Sequence, residues 1–305
     1  MDIARVFPKN PAARREFVAS GRSRRLIAYL LALAVALIVI AIIVGAPIHR
    51  RRRHWRLRAQ PLPAAWLPIL DHYVPAARHM PEPLRRRWHD AIKVFLAEKR
   101  FVGCDGLGVT DEMRVAIAGQ ACLMILNRPH GGYEDVEWIL IYPSAFHVTR
   151  RDVDEAGVET IERDLLTGES WDSGRVIISW DDVWRAAREG WEGESVVLHE
   201  FAHQLDFEDF MGDGVPALGS RREKLSWAEV MKMEFAALRA ADATGISTLL
   251  DTYGATNPAE FFAVATEAFF ERPQALQQQH PRLYGELRRF FRQDPARYSS
   301  EPAAG

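Results

Sequence analysis

Cysteine is nearly absent. Cys104 and Cys122 are the two in a chain of 305 residues. Two thiols build no disulfide framework, and their separation is not that of a zinc ribbon. Cys122 lies in an apolar stretch that reads as core, and Cys104 sits between glycines in what reads as a tight packing position; neither points to an oxidising compartment. The chain also has no internal repeat and no low-complexity tract. The roughly 245 residues after the first 60 suffice for one large domain or two lobes.

Acidic side chains are scarce at the start. Residues 1–60 carry 13 Lys/Arg against two Asp/Glu, and the remainder carries 26 against 39, so the formal net charge of −2 joins two parts of opposite sign. Within the basic part, charge disappears altogether from Leu26 to Ile48, a run of 23 residues. At about 1.5 Å per residue a helix of that length crosses a bilayer core of about 30 Å. Arginines crowd both ends, which favours a span over a buried soluble helix. A cleaved signal peptide fits less well. The apolar run exceeds the usual length, the leading segment holds Asp2 and Glu16, and Pro47 follows the Val44-Gly45-Ala46 stretch. Six Lys/Arg lie between residues 6 and 25 and six between 49 and 68, a tie on the positive-inside count. The second group is denser and nearer the span, which predicts a single-pass bacterial inner-membrane protein with its folded domain in the cytoplasm. These arginines are candidates for holding anionic lipid head groups. No aromatic interleaving or recognition fold accompanies them, so nucleic-acid binding is not expected.

The most specific chemistry lies at His199-Glu200-Phe201-Ala202-His203. On a helix, residues four apart share a face, so both imidazoles reach one metal ion while Glu200 sits beside them as a proton carrier. The helix itself is predicted by Val196, Val197, Leu198, Phe201, Ala202 and Leu205, with neither Gly nor Pro between Glu194 and Phe210. A catalytic zinc takes three protein ligands and a water. Three acids are candidates for the third ligand. Asp209 is rotated by about 280° from His199 on a continuing helix and so points away. Glu260 sits in Asn257-Pro258-Ala259-Glu260, where Asn257 reads as a cap and Pro258 as a first helical residue. The same spacing also reads as a capping box, which would turn the carboxylate back to Asn257. Glu267 lies seven residues further on the same face, either as an acid supporting a ligand or as a solvated charge. Spacing alone does not rank Glu260 over Glu267. Asp206, three residues after His203, is placed to orient an imidazole through its second nitrogen or to act as a cap.

Several ordered segments carry a resemblance. They are His199–His203 with Gln204-Leu205-Asp206, Tyr253 with Asn257–Val264, Phe101–Leu107, Met113–Leu123, Ile141–Phe146 and Gly168-Glu169-Ser170-Trp171. From about Trp66 to about Phe291 the chain resembles the Mlc titration factor A family of zinc peptidases. The resemblance implies a gluzincin-like, zincin-type domain binding one Zn²⁺ ion, with Glu260 as third ligand and aminopeptidase-like action on short peptides. Soluble members of the family are cytoplasmic. The family is similar in turn to the catalytic domain of anthrax lethal factor, which implies a catalytic role for Tyr253, seven residues before Glu260. Read without the resemblance, Tyr253 is a turn residue beside Gly254. The resemblance also implies the rival function, a regulatory interaction protein that sequesters a transcriptional repressor, with the zinc site secondary. A further alternative is lipid or scaffold attachment through the arginines.

The predicted organisation is a basic segment over 1–25, a transmembrane helix over 26–48, a basic proline-containing linker over 49–65, a metallopeptidase domain over 66–292 and a flexible tail over 293–305. The class is α+β and helix-rich. Expected helices are Trp66–Val74, Leu84–Arg100, 111–126, Trp227–Ala241, Asn257–Phe270 and 281–292. Expected strands are Trp138–Tyr142 and Arg175–Trp180, the latter a candidate edge for pairing with extended substrate. Gly103–Gly108 reads as a loop that lacks the Lys-Ser/Thr ending of a phosphate cradle.

Overall fold

The computed structural model describes residues 11–128, 132–144, 148–153, 159–164, 174–190, 193–209 and 212–298. The Gly168–Trp171 segment, along with Ala145 and Phe146, lies outside the described residues. The chain divides into two compact units at residues 59 and 60.

The first unit is one helix, α1 (Pro11–Ala59), which continues unbroken through Pro47. The stretch expected as a linker from residue 49 is therefore helical as far as Ala59. Its run of arginines is compatible with a helix, since Arg is a good helix former. Leu30, Leu31, Leu37, Ile40 and Ile43 are exposed along it. By length and composition this helix suffices to cross a membrane.

The second unit begins with α2 (Leu67–Tyr73), α3 (Glu82–Glu98), β1 (Arg100–Gly103) and α4 (Asp111–Ile125). It continues with β2 (Trp138–Tyr142), β3 (Val148–Val153), β4 (Glu159–Asp164), β5 (Arg175–Ser179) and α5 (Trp180–Glu189). It ends with α6 (Val196–Asp206), α7 (Arg221–Thr244), α8 (Pro258–Glu271), α9 (Pro273–Gln279) and α10 (Pro281–Phe291). The fold is helix-rich α+β. A three-stranded parallel sheet has the order β1-β2-β5, with Phe101 opposite Ile139 and Ile139 opposite Val176. β2 alternates, burying Ile139 and Ile141. β3 and β4 form a separate antiparallel hairpin, Val148 opposite Asp164, inserted between two parallel strands.

Three expectations change. Gly103 closes β1 rather than opening a loop, and a β-carbon there would collide with the Leu107 carbonyl. The helix expected over Trp227–Ala241 begins at Arg221, because Ser220 and Glu223 form a complete capping box in front of it. The chain does not loosen at residue 293. Gln293 Nε2 donates to the Leu123 carbonyl at 2.7 Å, and Pro295 is buried.

Packing centres on α4, α6 and α8. α4 is buried from Val115 to Met124, and Cys122 is core within it. At Gly119 the Leu70 side chain would stand 2.7 Å from an added β-carbon, and the Gly119 carbonyl accepts from Trp88 Nε1 at 2.8 Å. Here the small residue lets α2 and α3 close onto α4. Phe201 of α6 meets Tyr133 and Phe95 at ring-centroid distances of 4.7 and 5.7 Å. Phe269 of α8 stacks on Phe291 of α10 at 5.4 Å.

Candidate metal centre

Ser195 starts α6. Its Oγ accepts from Leu198 N at 3.1 Å and donates to Gln120 Oε1 of α4 at 2.6 Å. One face of the helix then buries Val197, Leu198, Phe201, Ala202 and Leu205 completely. That burial fixes the helix's rotation and turns His199 and His203 the other way, ring centroids 4.8 Å apart. Glu200 is buried beside them.

Asn257 starts α8 by accepting from Glu260 N at 3.0 Å. The Glu260 carboxylate does not turn back to Asn257 but lies against the rings. Its Oε2 is 2.9 Å from His199 Nε2 and 3.4 Å from His203 Nε2. The two Nε2 atoms are 3.2 Å apart, and the ligand atoms of the three residues lie within 4.8 Å of one another. Glu267 takes the other ring nitrogen of His199, with Oε1 2.8 Å from Nδ1. The α6 and α8 helices run in opposite directions: Glu260, in the first turn of α8, reaches the later His203 as well as His199, whereas Glu267, about two turns further on, meets the earlier His199.

The protonation tendencies follow from enclosure. Burial pushes the Glu260 carboxyl up, but hydrogen bonds from His199 and His203 outweigh it and hold the group at about 2. Burial raises Glu267 to about 7 against the pull of His199. Burial disfavours charge on both rings. It keeps His203 low, whereas the bonds from Glu260 and Glu267 lift His199 well above the ordinary range. An acceptor carboxylate and two enclosed imidazoles are the N,N,O donor set that suits zinc. Glu267 fixes the ring orientation of His199, as a hydrogen-bonded carboxylate does for a ligating histidine. The residues therefore fit a metal ion.

Asp206, the last residue of α6, is buried. Its Oδ2 accepts from Gly214 N at 2.8 Å, pinning the loop after α6. Gly214 has φ of 79°, and a β-carbon there would collide with the Pro258 carbonyl. The loop is thereby pressed against the first turn of α8, two residues from Glu260. Its carbonyl also accepts from Trp227 Nε1 at 3.0 Å. Tyr253 lies on a short 3-10 turn, Thr252–Ala255, its ring centroid 5.9 Å from that of His199 and 44% exposed. Asp209 closes a 3-10 turn after α6, and its side chain lies outside the described residues. Glu271, the last residue of α8, is half-buried with both carboxylate oxygens shielded from solvent and without a hydrogen-bond partner among the described residues; spacing did not single it out, although it lies an i,i+4 step from Glu267. A separate cavity of about 660 Å³, lined by Arg128, Glu208, Leu218, Trp227, Glu286 and Phe290, shares no residue with this centre.

Residues 48–292 match the family described as glucose-regulated metallo-peptidase M90. The chain belongs to that family. Among its relatives is the uncharacterized protein slr2042 of Synechocystis, 38% identical over 266 residues that cover 86% of this chain and 96% of that one. The Mlc titration factor A proteins of Yersinia pestis and Yersinia pseudotuberculosis are each 30% identical over 235 residues, covering 76% of this chain and 85% of theirs. The M90 match takes in α6 and α8 together, so the helices that carry the three donors lie within the family domain.

Proposed function

We propose that this M90 chain is a membrane-anchored, zinc-dependent peptidase in which His199, His203 and Glu260 hold one metal ion. The observation that carries the reading is the convergence of those three donor atoms within 4.8 Å, with a buried Glu200 in the same helix turn. Zinc bound there supplies Lewis acidity that polarises a peptide carbonyl and acidifies a water. Glu200 accepts the water's proton and passes it to the leaving amine. Tyr253 donates its phenolic O–H to the developing oxyanion, a contribution of about 2.7–4 kcal/mol where such donors have been removed. Glu267 keeps His199 in the tautomer that presents Nε2 to the metal. Aminopeptidase-like cleavage of short peptides is the substrate class the reading carries. β5, at one edge of the parallel sheet, is the candidate strand against which an extended substrate pairs.

α1 serves as a single inner-membrane span with the peptidase domain in the cytoplasm. Its arginine-rich end, Arg50–Arg53 with Arg56 and Arg58, lies at anionic head groups, and the 72% exposed Trp55 sits at the interface.

The decisive experiment uses the full chain in detergent. Glu200→Gln is expected to retain one metal per chain by elemental analysis and to lose peptide turnover by about 10²–10⁴-fold. Wild-type turnover in that variant ends the catalytic assignment. A second reading is favoured by the name of the Yersinia relatives, Mlc titration factor A: the domain binds a transcriptional repressor of the Mlc type and the metal supports that surface. Metal-loaded wild-type protein that cleaves nothing in a peptide library, yet binds such a repressor, would select it.

A further inference from the structure

Tyr253 is the one side chain of the proposed reaction that no α-helix carries. It sits on the Thr252–Ala255 turn, with its ring partly exposed and 5.9 Å from that of His199 between centroids. A site residue on a loop is placed less precisely than one on a helix unless its surroundings lock it. An exposed ring has few packing walls, so its place depends on the backbone beneath it.

That backbone is held at every residue of the turn's centre. Asp251 Oδ1 accepts from Tyr253 N at 2.8 Å, and the Asp251 carbonyl accepts from Gly254 N at 3.1 Å. The Tyr253 carbonyl accepts from Thr256 N at 3.1 Å, one residue before the Asn257 cap of α8. Gly254 is buried, and a β-carbon there would stand 3.2 Å from Leu238 of α7 and 3.2 Å from Val264 of α8. The turn therefore rests directly on α8, one helical turn beyond Glu260. Asp251 itself is extended, with φ of −59° and ψ of 135°, the backbone of a capping residue. Yet α8 has its own cap in Asn257, so the Asp251 bond is not needed to start that helix. What it fixes is the amide of Tyr253, and with it the direction in which the phenol leaves the chain.

We propose that Asp251 is a positioning residue for Tyr253: its carboxylate holds the Tyr253 amide so that the ring stays beside His199, on the footing that Gly254 makes against α7 and α8. The inference rests on the reading of Tyr253 as the oxyanion donor.

The test is a double-mutant cycle on peptide turnover by the metal-loaded full chain in detergent. Asp251→Ala is expected to lower kcat about 10-fold or more with KM little changed, since a donor that acts only in the transition state is displaced. Asp251→Asn, whose Oδ1 still accepts from the Tyr253 N–H, is expected to recover most of the loss. In a Tyr253→Phe background, Asp251→Ala is expected to change kcat by less than about 2-fold, because the group it positions is gone. An equal loss in both backgrounds overturns the inference, as does wild-type kcat in Asp251→Ala. A reading free of turnover is the fluorine NMR of the Co(II)-loaded chain labelled with fluorotyrosine. The resonance that Tyr253→Phe removes reports the ring's place relative to the metal through its pseudocontact shift. That shift is expected to change in Asp251→Ala and to return in Asp251→Asn; an unchanged shift in the alanine protein overturns the inference. Should the alanine protein not fold, Asp251→Glu decides by the same two readings, since it keeps the charge and moves the carboxylate by one methylene. Wild-type turnover in Tyr253→Phe, or a wild-type chain that cleaves no peptide, removes the reading of Tyr253 itself. Impaired turnover in Tyr253→Phe beside wild-type behaviour in Asp251→Ala removes only the role of Asp251.

Discussion

Helices α1 and α8 are both apolar nearly all round, yet their surroundings are opposite. In α1 the apolar side chains, Leu30, Leu37 and Ile43 among them, face outward. In α8 every residue from Ala259 to Phe270 is buried. A helix without a polar face needs an apolar environment, which is either the interior of a fold or a bilayer. The placement of charge separates the two cases. α1 has none between Leu26 and Ile48 and many beyond, whereas α8 carries Glu260 and Glu267 within its apolar length, each engaged by His199. Charge at the ends suits a span. Charge inside a buried helix needs a partner, and in this fold the partners are the His199 and His203 rings of α6.

Three substitutions sharpen or break this contrast, largest effect first. Phe262 is fully enclosed and packs on Trp227 and Phe290 at 5.7 and 5.8 Å. Phe262→Ala is expected to cost about 3–5 kcal/mol of domain stability, measured by denaturant unfolding. A loss below about 1 kcal/mol would mean that α8 is not a core helix in solution. Leu37→Arg places a charge in the middle of the α1 run, at a cost of about 2.5–3.5 kcal/mol if that run lies in a bilayer. The expected outcome is a smaller share of the chain in the carbonate-resistant membrane fraction, and an unchanged share breaks the assignment of α1. Glu267→Gln removes the charge on His199 Nδ1 while keeping the shape. Metal affinity is expected to fall about 10-fold by chelator competition, with the melting curve of the metal-free protein little changed.

The local signals in the sequence were strong where one element carried the information. The α6 pair, the Asn257 cap, and the β2 and β5 strands could each be read from short-range pattern, since periodicity and capping act over a few residues. Long-range partnership was harder. Glu260 and Glu267 lie 61 and 68 residues from His199, and spacing could not choose between ligand and support until α8 was packed on α6. Asp206 read equally as an imidazole partner or as a cap or surface charge, and spacing gave no sign of its bond to Gly214, eight residues away across a loop. β1 was missed because Arg100–Gly103 is four residues long and ends in glycine, leaving too little pattern to detect. The β3–β4 hairpin is rich in charge and showed no alternation to mark it.

Gly214 offers no donor atom and moves no proton, yet the placement of the His199, His203 and Glu260 cluster depends on its having no side chain. Any β-carbon there runs into the Pro258 carbonyl, and a backbone atom has no rotamer by which to yield. Variation at 214 must therefore be absorbed by the first turn of α8, which carries Glu260 with it. The spacing of His199, His203 and Glu260 would thus answer to a position that contributes no donor atom of its own.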